Sequence, residues 1–106
     1  MNFYKLAEMK GGWFIGDFSP SILKTKEFEI AVKHYKKGTI EKAHHHSLAR
    51  EFTLVLGGVA KFNDQIVRDG EIVEIIPGES NQFSALTDLT TVVVKTSSVK
   101  NDKFFD

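Results

Sequence analysis

From Phe28 onward the chain runs in short stretches of alternating apolar and polar residues, each closed by Gly, Asp, Asn or Pro. Phe28-Glu-Ile-Ala-Val-Lys-His34 alternates apolar with mostly polar residues and ends at the Lys-Lys-Gly of 36–38. Glu51–Leu56 is a denser apolar run stopped by Gly57-Gly58. Val59–Phe62 follows and turns at Asn63-Asp64, and Gln65–Arg68 is closed by Asp69-Gly70. Glu71–Ile76 runs into Pro77-Gly78, Gln82–Leu86 into Thr87-Asp88, and Thr90–Lys95 is the last strong run. A period of two is that of a strand whose side chains point alternately to two faces. Many short strands broken by turn signals predict an all-β sandwich or barrel. Ala43–Phe52 lacks Gly and Pro, so a short helix is its alternative reading. Its three adjacent His and the β-branched run behind them favour strand.

Length and composition narrow the class. A chain of 106 residues is expected to be a single domain spanning 1–106. Nine Phe suit a β-core, where flat rings fill the space between facing sheets. Fourteen basic residues balance fourteen acidic ones, so no positive field is available for a phosphate backbone or an anionic membrane. No nucleic-acid or membrane partner is expected. The near-zero net charge also gives little colloidal repulsion, which favours self-association. With no Cys, disulfides and thiolate sites are excluded. No apolar run has the length of a signal peptide or a bilayer span, and a cytoplasmic location is the default expectation.

Histidine carries the chemical information. His44, His45 and His46 are consecutive, and on a strand His44 and His46 share one face while His45 points away. Two imidazoles on adjacent inward positions can occupy two cis sites of one cation. A turn at 47–50 would return Glu51 to the same cavity. Two imidazoles and a carboxylate form a facial triad with open positions, suited to Fe(II), with Mn, Ni, Co or Zn feasible. From spacing alone, a loop or surface cluster without a ligand is an equal alternative.

The surroundings of these histidines resemble a known family. Gly38, five residues, His44-His45-His46, four residues, Glu51, six residues and Gly58 are similar to the first cupin motif. Gly38 would turn into the ligand strand and Gly58 out of the next one. Gly70 to Ala85 resembles the second motif imperfectly: Ile76 stands for its Pro, Gly78 is kept, Asn81 occupies the place of its His, and Ala85 that of its Asn. The resemblance implies a double-stranded β-helix (jelly-roll) cupin barrel that binds one divalent transition metal (Fe, Mn, Ni or Zn) and forms a homodimer. The metal set it implies here is His44, His46, Glu51 and Asn81.

Asn81 is the departure that matters, because a neutral amide is a weak ligand beside imidazole. Asn81 could ligate weakly or hold a water on the ion. His34 could substitute, being on the strand face of Phe28, Ile30 and Val32. Or the ion is lost and the cavity is a plain binding site. Two functions follow: a metal-dependent enzyme of dioxygenase, isomerase or lyase type acting on a small oxygenated metabolite, or a non-catalytic cupin that binds a small molecule. Trp13, between Gly12 and Phe14, is expected to pack in the core or an interface, and Glu79, Ser80 and Ser84 to lie in turns and on strand surfaces.

Overall fold

The computed structural model describes residues 1–106. A three-residue 3-10 helix (Leu6–Glu8) precedes ten strands: β1 (Trp13–Ile15), β2 (Phe28–Tyr35), β3 (Ile40–His46), β4 (Arg50–Leu56), β5 (Val59–Phe62), β6 (Gln65–Arg68), β7 (Ile72–Ile75), β8 (Asn81–Ala85), β9 (Leu89–Thr96) and β10 (Lys103–Phe105). They form two five-stranded sheets, β1-β2-β9-β4-β7 and β10-β3-β8-β5-β6, in which neighbouring strands pair antiparallel. Val59–Phe62 and Gln65–Arg68 are strands over the expected residues. Ala43–Phe52, open to a helical reading, is the end of β3, a turn and the start of β4. No helix is long and apolar enough to cross a membrane.

Turn chemistry places the strands. Gly57, at φ 71°, takes the left-handed step out of β4, a conformation that costs glycine little. That corrects the role expected of Gly58, which is glycine for a different reason. A Cβ on it would collide with the Asp88 carbonyl oxygen and the Thr87 hydroxyl.

The faces of β2 reverse the simplest expectation. Ala31 is fully buried, and Glu29, Lys33 and Tyr35 on its side of the strand line the space between the sheets. His34 lies on the other face, exposed, with Nδ1 2.9 Å from Thr90 Oγ1. It therefore cannot replace a ligand inside the barrel. The physical reason is that the barrel interior is polar at this end, so the apolar face of Phe28, Ile30 and Val32 is the outer one.

Between the sheets, an apolar plug fills one end and a polar cavity the other. Val55, Ala60, Phe62, Val67, Ile75, Phe83, Ala85 and Leu89 form the plug. Phe83 packs edge-on against Phe62 at 5.2 Å and tilted against Tyr35 at 4.6 Å. Burying a ring of this size contributes about 2–3 kcal/mol. β4 illustrates the division, running from Glu51 and Thr53 in the cavity to Val55 in the plug.

Candidate functional site

The cavity has a volume of about 550 Å³, within the range of small-molecule sites. β3 brings His44 and His46 to its wall from one sheet, 8% and 7% exposed, with ring centroids 5.3 Å apart at 81°. β8 brings buried Asn81, whose Cα partner in the ladder is His44. Glu51 enters from the opposite sheet on β4.

Both imidazoles are held from behind. His44 Nδ1–H donates to the Lys42 carbonyl at 3.0 Å, and His46 Nδ1–H to the Asp102 carbonyl at 3.1 Å. A carbonyl only accepts, so the neutral form of each ring carries its free lone pair on Nε2. Backbone-oriented rings of this kind are what metal-binding histidines use. Burial first, and the Lys95 ammonium second, pull His46 down to about 4, against the opposing Asp102 carbonyl. His46 is thus neutral at physiological pH, the state a metal ligand needs.

Asp102 fixes more than one ring. Its carboxylate accepts from Ser47 N and Oγ, Leu48 N and Ala49 N at 2.6–3.3 Å, closing the β3–β4 turn. Burial alone would raise its pKa, but these donors outweigh it and hold the carboxyl below its usual range. On the other side, Gly78 N–H donates to the His46 carbonyl at 2.7 Å.

The wall facing the histidines is charged. Glu51 accepts from Thr53 Oγ1 at 3.2 Å and has Lys95 as its ladder partner. Lys95 Nζ lies 3.4 Å from Glu29 Oε1, both side chains nearly buried at 12% and 13% exposure. Tyr35 donates to Glu41 Oε2 at 3.3 Å. Burial first, and the Glu41 charge next, push the Tyr35 hydroxyl far above its usual range, so it stays protonated. Thr91 Oγ1 is buried at the cavity wall beside the Tyr35 hydroxyl and makes no hydrogen bond of good geometry.

Comparison with solved structures places this architecture. The chain superposes on an uncharacterised conserved protein with a double-stranded β-helix domain from Klebsiella pneumoniae with a TM-score of 0.70 at 16% identity, over 99% of this chain and 96% of that one. It matches a sugar phosphate isomerase from a cupin superfamily, from Silicibacter pomeroyi, at 0.59 and 23% identity, over 66% of this chain and 50% of that one. The chain has the cupin fold. A third neighbour is the DMSP lyase DddQ from Ruegeria pomeroyi, at 0.70 and 13% identity, over 86% of this chain and 48% of that one. The chain thus spans about half the length of the lyase and of the isomerase. No protein-family model matches the chain, and no curated protein matches it by sequence.

Within this cupin barrel the four residues expected as a metal set all line one cavity. His45 points away as expected, bound to Asp106 at 2.7 Å and stacked on Phe104 at 5.3 Å. Convergence is incomplete, however: no three His, Asp or Glu side chains stand grouped closely enough to hold an ion. The donor chemistry fits a transition metal at the His44–His46 pair, where both Nε2 lone pairs are free. Glu51 can keep its Oε2 bond to Thr53 and offer Oε1 to the ion. The sequence reading missed Glu41, Lys95 and Asp102. Glu41 reaches the cavity through a bulge, since three steps of β3 from Glu41 to His44 face two steps of β8 from Phe83 to Asn81. Lys95 was detectable from the inward period of Thr91 and Val93. Asp102 carried no local signal, because its partners lie on a turn over fifty residues earlier.

Proposed function

We propose that the protein binds and acts on a small oxygenated metabolite in the barrel cavity, with a divalent transition metal (Fe, Mn, Ni or Zn) held by His44, His46 and Glu51. Asn81 borders that position as a neutral oxygen donor. The observation that carries this reading is the pair of buried imidazoles whose Nδ1–H groups are tied to carbonyls, leaving both Nε2 atoms free. A bound ion would supply Lewis-acid polarisation of a substrate oxygen. The chain's own groups do the rest. Protonated Tyr35 spends its one O–H on Glu41, which fixes that carboxylate at the cavity wall and leaves the phenol oxygen to accept from a substrate hydroxyl. The Phe62 and Phe83 rings close the cavity on the plug side and keep bulk water from its floor. A lyase and an isomerase among the solved structures of this fold support an enzymatic role.

A second reading, a metal-free binding barrel, is favoured by the lack of a grouped three-ligand set and by the Lys95 charge acting on His46. Elemental analysis of protein purified without chelator separates the two. The first reading expects about one Fe, Mn, Ni or Zn per chain, lost in His46→Ala while the barrel still folds. A chain that stays metal-free after anaerobic reconstitution with each ion favours the second.

A further inference from the structure

The cavity wall opposite the histidines carries more positive charge than the metal reading uses. On the inner face of β2 and β9, Lys33 and Lys95 both reach the single Trp of the chain. Their Nζ atoms stand 5.1 and 5.6 Å from the centroid of the Trp13 ring. Trp13 is placed there by its pairing with Ala31, between Glu29 and Lys33 on β2.

The two lysines differ in what balances them. Lys95 is bound to Glu29 and has Glu51 on its other side in the ladder. Lys33 is half-buried and has no carboxylate within ion-pair distance. Its ladder partner is Thr91, whose buried hydroxyl lines the same cavity. This wall therefore holds one ammonium without an ion-pair partner and a second with donors to spare, around an aromatic platform. Withdrawing a cation from water without a counter-charge is unfavourable, and a bound anion would relieve it.

We propose that Lys33 and Lys95, set against Trp13, form a carboxylate-binding subsite, so that the metabolite taken by the barrel is a small carboxylate-bearing acid. This rests on reading the cavity as the substrate site. A monoanion matches the one unmatched charge. A phosphate dianion would exceed it and be repelled by Glu29 and Glu51, which flank Lys95. The carboxylate held on this wall would leave the rest of the molecule directed toward His44 and His46 across the cavity.

Trp13 reports on the subsite directly, because its indole N–H gives one resonance. Lactate is titrated into ¹⁵N-labelled protein, with the neutral isostere lactamide and inorganic phosphate in parallel. Lactate should shift the indole resonance saturably, lactamide should not, and phosphate should bind more weakly than lactate. Lys33→Met, which breaks no ion pair, should weaken lactate binding by about tenfold with the rest of the spectrum unchanged. The Glu29→Gln/Lys95→Met double variant, which removes both members of that ion pair, should weaken it similarly. Equal shifts with lactamide, tighter binding of phosphate, no shift with lactate, or unaltered affinity in Lys33→Met would each overturn the proposal. Lactate binding to Trp13 in protein that takes up no metal would count against the metal site and leave this subsite standing. Metal uptake without any lactate shift would do the reverse.

Discussion

Asn81 and Asp102 show how differently two site residues can be encoded. Asn81 sits where the sequence pattern places a ligand, pairs with His44 across the ladder and is buried at the cavity wall. Asn81→His should therefore add a third imidazole beside the existing pair and tighten ion binding by about tenfold or more. Competition with a chelating dye measures this, and unchanged affinity would mean that the position does not face the ion. Asp102 has no such signature, yet three backbone N–H groups and one hydroxyl converge on its carboxylate. Asp102→Ala strands those donors and should cost about 3 kcal/mol in urea unfolding. The same linkage sets a pH dependence. The folded pKa lies below the ordinary 3.8, so this stabilisation is complete above that value and is lost as pH falls through the depressed folded pKa. Wild-type and Asp102→Ala stabilities should converge in acid and differ most near neutrality. His44 and His46 were legible because a period of two decides which of three consecutive histidines turn inward. Asp102 was not, because its role arises only when the chain after Ser98 returns to β3.

At the level of elements, positions were legible and faces were not. Gly, Pro, Asn and Asp mark nearly every strand end, and each expected run from Phe28 to Lys95 contains a strand. The inward face of β2, however, is Glu29-Ala31-Lys33-Tyr35, the polar side of the alternation. A strand that lines a ligand cavity places charge inside, which inverts the usual binary pattern. The bulge in β3 has the same character: one extra residue brings Glu41 and His44 to the same wall, and no sequence period encodes it. β10 was also missed. Its three residues pair with β3 as Lys103 with His46, Phe104 with His45 and Phe105 with His44. Removing residues 103–106 exposes the edge of the ligand strand. Hydrogen exchange should then accelerate across 44–46 and leave β2, β9 and β4 unchanged. Unaltered protection at 44–46 would show that β10 does not support the site.

The whole molecule is divided by location: a largely aliphatic plug at one end of the barrel, to which only Phe62 and Phe83 of the nine Phe contribute, a charged cavity at the other, and an apolar outer sheet face. On that outer face Ile30, Val94 and Phe52 form one cross-strand row, and Val32, Val92, Leu54 and Ile72 the next. Arg50–Glu74 and His34–Thr90 bound these rows at either end. The homodimer expected from the sequence would use this face, with a second copy covering the same rows. Sedimentation should give a dimer that Val92→Lys converts to monomer; a wild-type monomer at micromolar concentration would refute it. Inside the cavity, imidazole nitrogen NMR separates the two histidines that would face an ion from the two that would not. Long-range ¹H–¹⁵N spectra of the four histidines are recorded without metal and after one equivalent of Zn(II). A metal site at His44 and His46 requires both rings as Nδ1–H tautomers whose Nε2 resonances alone move with the ion. Movement at His34 or His45 instead, or no movement at any ring, would contradict it.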